Sequence, residues 1–181
     1  MVYFITGNKN KFEEARIVIR DLVQLDIDLP EIQETNSRKI IEAKLKEAFN
    51  HKKGEFIVED VSLCLDCLNG LPGPLIKWFL KEIGNEGIYK IAEKFGNYKA
   101  EGKVILGYAK SEKDIHFFES TIKGKIVFPK KKTEFGWDPI FQAEGSEKSF
   151  AEMRKENPEF ITMRKIAFGK LKYFLENEKA K

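Results

Sequence analysis

Apolar residues in the first sixty positions alternate between strand-like and helix-like spacing. Residues 3–6 form a short apolar run that predicts a buried strand, and residues 25–29 and 55–59 predict two more. Between the first two strands, apolar side chains recur every three or four positions, as in a helix: Phe12, Ala15, Ile19, Leu22 and Val23. A second helix is predicted from the stripe formed by Ile41, Leu45, Ala48 and Phe49. Possible N-terminal caps are Asn8 or Asn10 for the first helix and Thr35, Asn36 or Ser37 for the second.

The pattern changes after a turn rich in glycine and proline at residues 70–74. Helical spacing covers residues 75–95, and three β-like runs follow at residues 99–110, 115–122 and 124–128. A last long helix is predicted over residues 160–176. Helices that alternate with strands early and β-runs that cluster late favour an α/β fold, with a mixed central β-sheet flanked by helices.

Length and composition favour one domain over the whole chain, residues 1–181. With 181 residues and 42% hydrophobic content, the chain can bury one core of ordinary size. Its apolar runs extend over only a few residues, whereas a membrane-spanning helix needs about 20. The first residues contain neither the basic flank nor the small-residue cleavage site of a secretory signal. We therefore expect a cytoplasmic protein that does not enter membranes.

Charge and cysteine content argue against several other classes of protein. The net charge is +3, with basic and acidic residues interspersed, and the one dense basic run, residues 130–132, is typical of a solvated turn. Nucleic-acid binding is therefore not expected. The only cysteines, Cys64 and Cys67, cannot form the disulfide framework of a secreted domain. They have no further cysteine pair for zinc and lie in an apolar run, so we interpret them as buried structural thiols.

The turn after the first strand has the composition of a phosphate-binding loop. It consists of Thr6, Gly7, Asn8, Lys9, Asn10 and Lys11. These residues place backbone N–H groups, a hydroxyl, two amides and two ammonium groups at the start of a helix, where the helix dipole stabilises an anion. An ordinary capped helix start has a similar composition, so the loop alone leaves both interpretations open.

Carboxylates follow two of the predicted strands. Glu31 comes directly after Pro30 at the end of the second strand, and Glu59 and Asp60 close the third. Ligands of α/β proteins bind beside the C-terminal ends of strands, and carboxylate oxygens there suit hard cations such as Mg²⁺. Exposed carboxylates at ordinary strand ends are the alternative.

An aromatic loop in the last third of the chain offers a surface on which a base could stack. Phe135, Gly136, Trp137 and Asp138 precede Pro139, which makes the loop rigid. A nucleobase stacked on an aromatic ring gains about 1–3 kcal/mol whatever its identity. A turn that its rings anchor in the core would have a similar sequence.

Together these segments resemble one family, the inosine triphosphate pyrophosphatases, which act on non-standard purine nucleoside triphosphates. The resemblance covers nearly the whole chain, and its segments occur in the family's order. The matching segments are TGNKNK at 6–11 with EE at 13–14, LPE at 29–31, VED at 58–60, GLPGP at 70–74 with IKWF at 76–79, FGWDP at 135–139 and AEM at 151–153.

The resemblance implies a fold, a reaction and a cofactor. The fold would have two lobes with a substrate cleft between them. The reaction would be the Mg²⁺-dependent hydrolysis of ITP, dITP and XTP between the α and β phosphates, which releases the monophosphate and pyrophosphate. The enzyme would act as a homodimer and cleanse the nucleotide pool.

Carried over position by position, the resemblance also implies roles for individual residues. Those that would hold the phosphates are Thr6, Asn8 and Lys11, with their neighbours Gly7, Lys9 and Asn10, and Lys44 and Lys77 from later helices. Glu31 and Asp60 would hold Mg²⁺, and Asp60 would also activate the attacking water. The backbone of Val61 would contact the substrate. Those that would select the base are Phe135, Gly136, Trp137, Asp138 and Arg164.

The chain departs from the family pattern at the start of the last helix. Met163 replaces the family's histidine, and Pro158 occupies the position of a family lysine, although Arg164 is retained. A site with fewer donors to the base discriminates less sharply, so we expect a weaker preference for ITP over GTP and ATP than the family shows. Two alternatives stay open: a pyrophosphatase for modified pyrimidine nucleotides, and a nucleotide-binding protein with weakened catalysis.

Overall fold

The computed structural model describes residues 1–130, 136–157 and 159–179. Its strands are β1 (Val2–Ile5), β2 (Val23–Leu25), β3 (Glu55–Leu65), β4 (Pro72–Gly73), β5 (Lys99–Ser111), β6 (Asp114–Ile126) and β7 (Phe141–Ala143). Its α-helices are α1 (Lys9–Val18), α2 (Ser37–His51), α3 (Ile76–Glu82), α4 (Gly84–Phe95), α5 (Phe150–Glu156) and α6 (Met163–Lys179). Short 3₁₀ turns lie at Asp66–Leu68 and Asp138–Ile140.

These strands form one mixed sheet in the order β2-β1-β3-β5-β6-β7, and β4 pairs with β3 beside that path. β1 is parallel to both β2 and β3, whereas β4 runs antiparallel to β3 and β7 antiparallel to β6. Parallel neighbours need a crossover, and the segments that contain α1 and α2 supply it for the first three strands. The α/β fold with a mixed sheet and flanking helices is therefore confirmed.

The described residues divide into two compact units. Unit one comprises Met1–Asp60, Val104–Ser120 and Thr162–Lys181, and unit two comprises Val61–Lys103 and Thr121–Ile161. One core cluster of unit one joins strand residues to α2: Ile5, Ile41, Leu45, Ala48, Phe56, Val58, Ile105 and Ala109. Unit two contains an aromatic cluster in which the Phe150 ring lies 5.0 Å from Phe141 and 5.3 Å from Phe160.

Two element boundaries near the N-terminus differ from the prediction. α1 ends at Val18, before the predicted stripe is complete, and β2 starts at Val23 and not at Leu25. The residues around this end, Ile17, Val18 and Ile19, are all β-branched and favour extended backbone over helix. The second strand therefore lies earlier in the chain, at Val23–Leu25, than the predicted residues 25–29.

Two further boundaries concern the long strands and the last helix. The β-runs predicted at residues 115–122 and 124–128 merge into a single strand, β6, which continues through Gly124 and ends at Ile126, two residues before the second run was predicted to end. Gly124 marks a close approach between strands, because a Cβ atom there would lie 2.3 Å from the Gln142 carbonyl oxygen of β7. α6 begins at Met163 because the Thr162 hydroxyl accepts a hydrogen bond from the Lys165 N–H, as an N-terminal cap does.

Helix α2 packs closely on the sheet within unit one. Gly107 of β5 faces this helix, and a Cβ atom at that position would lie only 2.1 Å from Cγ2 of Ile41. Within the described part of the chain, no helix is long and apolar enough to cross a membrane.

We predict that Gly107→Ala lowers the free energy of unfolding by about 1–3 kcal/mol, because the added methyl group overpacks the contact with α2. Gly169→Ala is the matched control: apart from the nearby backbone of α6, no atom of the described residues lies within 4 Å of its Cβ position, so we expect it to stabilise by about 0.5–1 kcal/mol. Urea unfolding of the two variants checks both signs. A Gly107→Ala variant as stable as the wild type would refute the close packing of α2.

Candidate functional site

The loop between β1 and α1 is held by local hydrogen bonds and by β2. The Asn8 side chain caps α1 by accepting a hydrogen bond from the Lys11 N–H at 3.2 Å, and the Thr6 hydroxyl accepts one from the Asn8 N–H at 3.2 Å. The Thr6 carbonyl accepts a hydrogen bond from the Gln24 side chain at 2.8 Å. Of the two caps predicted for this helix, the structure therefore selects Asn8.

At Gly7 the same loop lies close to the Asp26 side chain, which follows β2. A Cβ atom on Gly7 would lie 2.9 Å from the Asp26 carboxylate. Thr6 is half-buried, and the next four residues, Gly7, Asn8, Lys9 and Asn10, are exposed. The loop thus presents the positive end of the α1 dipole together with accessible polar groups.

Behind this loop, unit one buries a cluster of three charged side chains, which we call the Arg164 cluster: Glu14, Glu59 and Arg164. The guanidinium donates from Nε and Nη2 to the two Glu59 oxygens, at 2.8 and 3.2 Å. From Nη1 it donates to Glu14 at 2.7 Å. The Glu14 and Glu59 side chains are each only 4% exposed, so the pairing supplies the partners that buried charges require.

Lys11 and Thr162 extend the Arg164 cluster on either side. The Lys11 ammonium lies 2.7 Å from the same Glu59 carboxylate and remains 31% exposed. The Thr162 hydroxyl donates a hydrogen bond to Glu14 and also caps α6. The cluster therefore connects a half-exposed lysine at the loop with the first turn of the last helix.

The positive neighbours determine the protonation state of Glu59. Burial by itself would raise its pKa, but Arg164 and Lys11 outweigh that effect and lower the pKa from 4.5 to about 2. Burial would likewise lower the pKa of Arg164, whereas Glu59 and Glu14 raise it above its usual range. Both groups are therefore charged at neutral pH.

A second lysine–carboxylate pair lies in unit one. The Lys44 ammonium of α2 is 2.7 Å from Oε1 of Glu31 and 3.5 Å from the backbone carbonyl oxygen of Glu59. The Lys44 side chain is 11% exposed and the Glu31 side chain 48% exposed. The ammonium thus joins the segment after β2 to β3 at the position of Glu59.

Asp60 lies on the α2 side of the sheet, opposite to Glu59. Side chains alternate along a strand, so Asp60 shares a face with Phe56 and Val58, which pack against α2. Asp60 itself is buried. The two adjacent carboxylates therefore lie on opposite faces of the sheet. Glu59 pairs with Lys11 on one face, and Asp60 lies on the other face, which is covered by α2, the helix that carries Lys44.

The prediction that Glu59 and Asp60 close a strand is wrong, because β3 continues to Leu65. The register nevertheless explains their position. Phe4 of β1 pairs with Ile57, and β1 ends one residue later at Ile5, so both carboxylates lie beyond the end of that parallel neighbour. In this sense they still lie at the C-terminal edge of the parallel strands, where ligands of α/β proteins bind.

The described residues contain no group of three or more histidine, cysteine or acidic side chains arranged to hold a metal ion. The metal ligands expected from the resemblance, Glu31 and Asp60, are only two carboxylates. A metal held by them would need further oxygen ligands from water or substrate.

The remaining predicted residues belong to unit two, except Phe135, which lies outside the described residues. Trp137 is buried, with its ring 5.3 Å from that of Phe141, and the buried Asp138 pairs with Arg154 at 2.9 Å. Gly136 adopts a φ of +49°, which favours glycine. Within unit two, residues 136–138 therefore form a turn that the Trp137 ring anchors in the core, which is the second of the two interpretations that the sequence allows.

Lys77 and Val61 also belong to unit two. Lys77 is exposed on α3, and Val61 is half-buried in β3. Met163, at the position of the family histidine, is buried at the start of α6, and Pro158 lies outside the described residues. Cys64 and Cys67 are not joined in a disulfide and are only half-buried, so the prediction of buried thiols is wrong.

Glu14 and Thr162 were not assigned a role from the sequence. Glu14 lies one position before Ala15 on an amphipathic helix and is buried beside it. A carboxylate that close to an apolar stripe must find a buried partner, which is the signal that could have identified it. Nothing in the local pattern, however, indicates that its partner is 150 residues away.

We predict that the stability contributed by Glu59 is lost in acid. Because its folded pKa is about 2 and its ordinary value 4.5, this stabilisation is complete above about pH 4.5 and disappears as the pH falls towards 2. Over that interval the wild type should lose roughly 3 kcal/mol more than Glu59→Gln. Urea unfolding with EDTA at pH values between 7 and 2.5 measures the difference. Parallel pH profiles for the two proteins would contradict the assignment.

The chain is similar to known proteins over nearly its whole length. Residues 2–174 match the model of the Ham1 family. The inosine triphosphate pyrophosphatase of Schizosaccharomyces pombe is 38% identical over 98% of this chain and 96% of its own length. That of Kluyveromyces lactis is 37% identical over 97% and 96%, respectively.

Solved structures show the same fold. The Staphylococcus aureus Ham1 protein has a TM-score of 0.80 at 25% identity and covers 98% of this chain and 100% of its own. A HAM1 protein from Coxiella burnetii has a TM-score of 0.82 at 21% identity, with 97% and 98% covered. With a matched family over almost its full length and relatives of nearly equal extent, this chain belongs to the Ham1 family.

Proposed function

We propose that the protein is a Mg²⁺-dependent hydrolase of non-standard purine nucleoside triphosphates. It would cut ITP, dITP and XTP to the monophosphate and pyrophosphate, cleanse the nucleotide pool, and act as a homodimer. The observation that carries this proposal is the pair of lysines, Lys11 and Lys44, each held by a carboxylate beside the Glu59–Asp60 step of β3. The name shared by the relatives, inosine triphosphate pyrophosphatase, supports the same substrate class.

The phosphates would bind at the N-terminal end of α1. Its capped first turn supplies a positive dipole, and the exposed residues of the preceding loop supply polar groups. Lys11 is 31% exposed, so its ammonium can contact a phosphate oxygen while it still contacts Glu59. Lysine contributes here as a point charge with several donors.

Glu31 and Asp60 would hold Mg²⁺. The chemistry of the donor set fits, because the Lys44 ammonium already lies against two oxygens there, one from Glu31 and one from the Glu59 backbone. Mg²⁺ is typically bound by one or two carboxylates, and phosphate oxygens and water complete its octahedron. When bound, it would neutralise charge that develops on the phosphate oxygens.

Asp60 would accept the proton of the attacking water. It is buried, so little bulk water competes for its carboxylate. Attack of the water on the α-phosphorus breaks the bond between that phosphorus and the oxygen that bridges it to the β-phosphorus. This leaves negative charge on the departing pyrophosphate. Lys11 and Lys44 would stabilise that charge electrostatically, with Lys77 as the third lysine that the resemblance suggests.

Base selection rests on the resemblance alone. It assigns this role to Phe135, Trp137 and Asp138 and to Arg164. Arg164 already donates from each of its three nitrogens to carboxylates, and Met163 offers no donor in place of the family's histidine. A site with few donors to the 6-oxygen would tolerate ATP, whose base has an amino group at that position, more than the family does.

We predict that Asp60→Asn lowers kcat for ITP by about 10²–10⁴-fold, because the amide cannot accept the proton of the attacking water. Its thermal stability should change little. Asp21→Asn, at an exposed position, is the matched control and should turn over at the wild-type rate. Near-normal turnover by Asp60→Asn would remove Asp60 from the mechanism.

A substrate panel with Mg²⁺, in which pyrophosphate and monophosphate are measured separately, tests the function itself. We expect turnover of ITP, dITP and XTP, none of dTTP or UTP, and loss of activity in EDTA. The advantage of ITP over GTP and ATP in kcat/KM should be below about 10⁴-fold. Turnover of pyrimidine nucleotides would favour the pyrimidine alternative, and binding without turnover would indicate a protein with weakened catalysis.

A further inference from the structure

The turn at residues 136–138 offers a base little surface of its own. Trp137 is 6% exposed, and the Asp138 side chain is 9% exposed. Arg154 of α5, which pairs with Asp138 within unit two, is more accessible, because its side chain is 25% exposed. A ligand that approaches this turn therefore reaches the arginine more readily than the indole ring or the carboxylate.

Two contacts fix the guanidinium of Arg154. Its Nε donates a hydrogen bond to Oδ2 of Asp138 at 2.9 Å, and its Cζ lies over the Phe160 ring, 5.5 Å from the centroid. An arginine that pairs with a carboxylate and also lies over an aromatic ring has a defined plane, so its N–H groups point in set directions. A donor that discriminates between ligands needs such a fixed direction.

The helix that carries Arg154 is itself firmly held in unit two. The Ser149 hydroxyl accepts a hydrogen bond from the Glu152 N–H at 3.3 Å, and the Glu152 carboxylate accepts one from the Ser149 N–H at 2.8 Å. This capping box fixes the start of α5, and Ser149 also forms a β-bridge with Gln142 of β7. The backbone thus sets the position of Arg154 relative to the turn.

A fixed guanidinium distinguishes purines by the group at position 6. ITP, XTP and GTP carry an oxygen there, which accepts hydrogen bonds, whereas ATP carries an amino group, which donates them. Arginine has five N–H donors and no acceptor, so it pairs with the oxygen and not with the amino hydrogens. Met163 and Pro158, at the positions of the family's histidine and lysine, have no side-chain N–H donor to offer.

We propose that Arg154 is a specificity-determining residue, which donates a hydrogen bond to the 6-oxygen of the purine base while Asp138 orients its guanidinium. The inference rests on the proposed function in that a purine base binds beside the turn at residues 136–138. Arg154 then favours 6-oxopurines over adenine. It makes no difference between ITP and GTP, which share the 6-oxygen.

The effect of Arg154→Met on three nucleotides separates this role from a structural one. With Mg²⁺, kcat/KM for ITP and for GTP should fall by the same factor, about 10-fold, because both lose a hydrogen bond to a charged donor. The value for ATP should not fall. Lys155→Met is the matched control, since it removes the same charge from the next, exposed position of α5 and should leave all three values unchanged.

A second background covers the case in which Arg154→Met does not fold. Removal of the arginine leaves the buried Asp138 carboxylate without this partner, which is destabilising. Asp138→Asn removes that charge with little change in shape. Addition of Arg154→Met to Asp138→Asn should again lower kcat/KM for ITP and GTP equally and spare ATP.

Binding to Asp60→Asn gives a readout that does not depend on turnover. In calorimetry with Mg²⁺, this variant should bind ITP and GTP more tightly than ATP. Addition of Arg154→Met should reduce that advantage by about 10-fold, equally for ITP and GTP.

Equal losses for ITP, GTP and ATP in Arg154→Met would reduce the arginine to a structural role and overturn the inference. Unchanged values for all three, or the same losses in Lys155→Met, would also overturn it. Failure of the proposed function would look different. The wild type would then release no pyrophosphate from ITP, while Asp60→Asn would still bind ITP more tightly than ATP in a manner that depends on Arg154.

Discussion

One buried guanidinium shared between two carboxylates organises unit one. Glu14 comes from α1, Glu59 from β3 and Arg164 from α6, so the contact joins elements that are far apart in the chain. None of these charges can be buried alone, and removal of any partner would leave another uncompensated. The three elements are therefore tied together at one point, directly behind the loop that begins α1.

The position of that contact explains why its effect extends to the surface. Glu59 uses both carboxylate oxygens on Arg164 and still contacts Lys11, which is half-exposed. On the other face of the same strand, Asp60 lies on the side of Lys44 and α2. Two successive residues of β3 thus carry carboxylates to both faces of the sheet, beyond the end of β1.

Much of the fold could be predicted from the sequence, because period-two and period-3.6 patterns report which faces are buried. The predictions failed where the end of a strand or helix depends on a residue far away in the chain. The end predicted for the third strand after Glu59 was wrong because an acidic pair resembles a strand end, whereas β3 continues to Leu65. Gly124 resembled a break in a strand because its close neighbour, Gln142 of β7, is invisible to local sequence.

Parts of the site could also be predicted from the sequence. The loop after β1, its cap at Asn8 and the proximity of Lys44 to Glu31 agree with the residues chosen from the sequence, although their roles in binding remain proposals. Glu14 was missed, since pairing across 150 residues leaves no local signal. The resemblance assigned Arg164 to base selection from its position in the chain. It gave no indication of the two carboxylates, Glu14 and Glu59, that contact the guanidinium.

The most direct test of this account is a crystal structure of Asp60→Asn with ITP and Mg²⁺. It should show phosphate oxygens in hydrogen-bonding contact with the Lys11 ammonium and with the loop that begins α1. A complex in which the phosphates lie away from Lys11 and from the loop that begins α1 would contradict it.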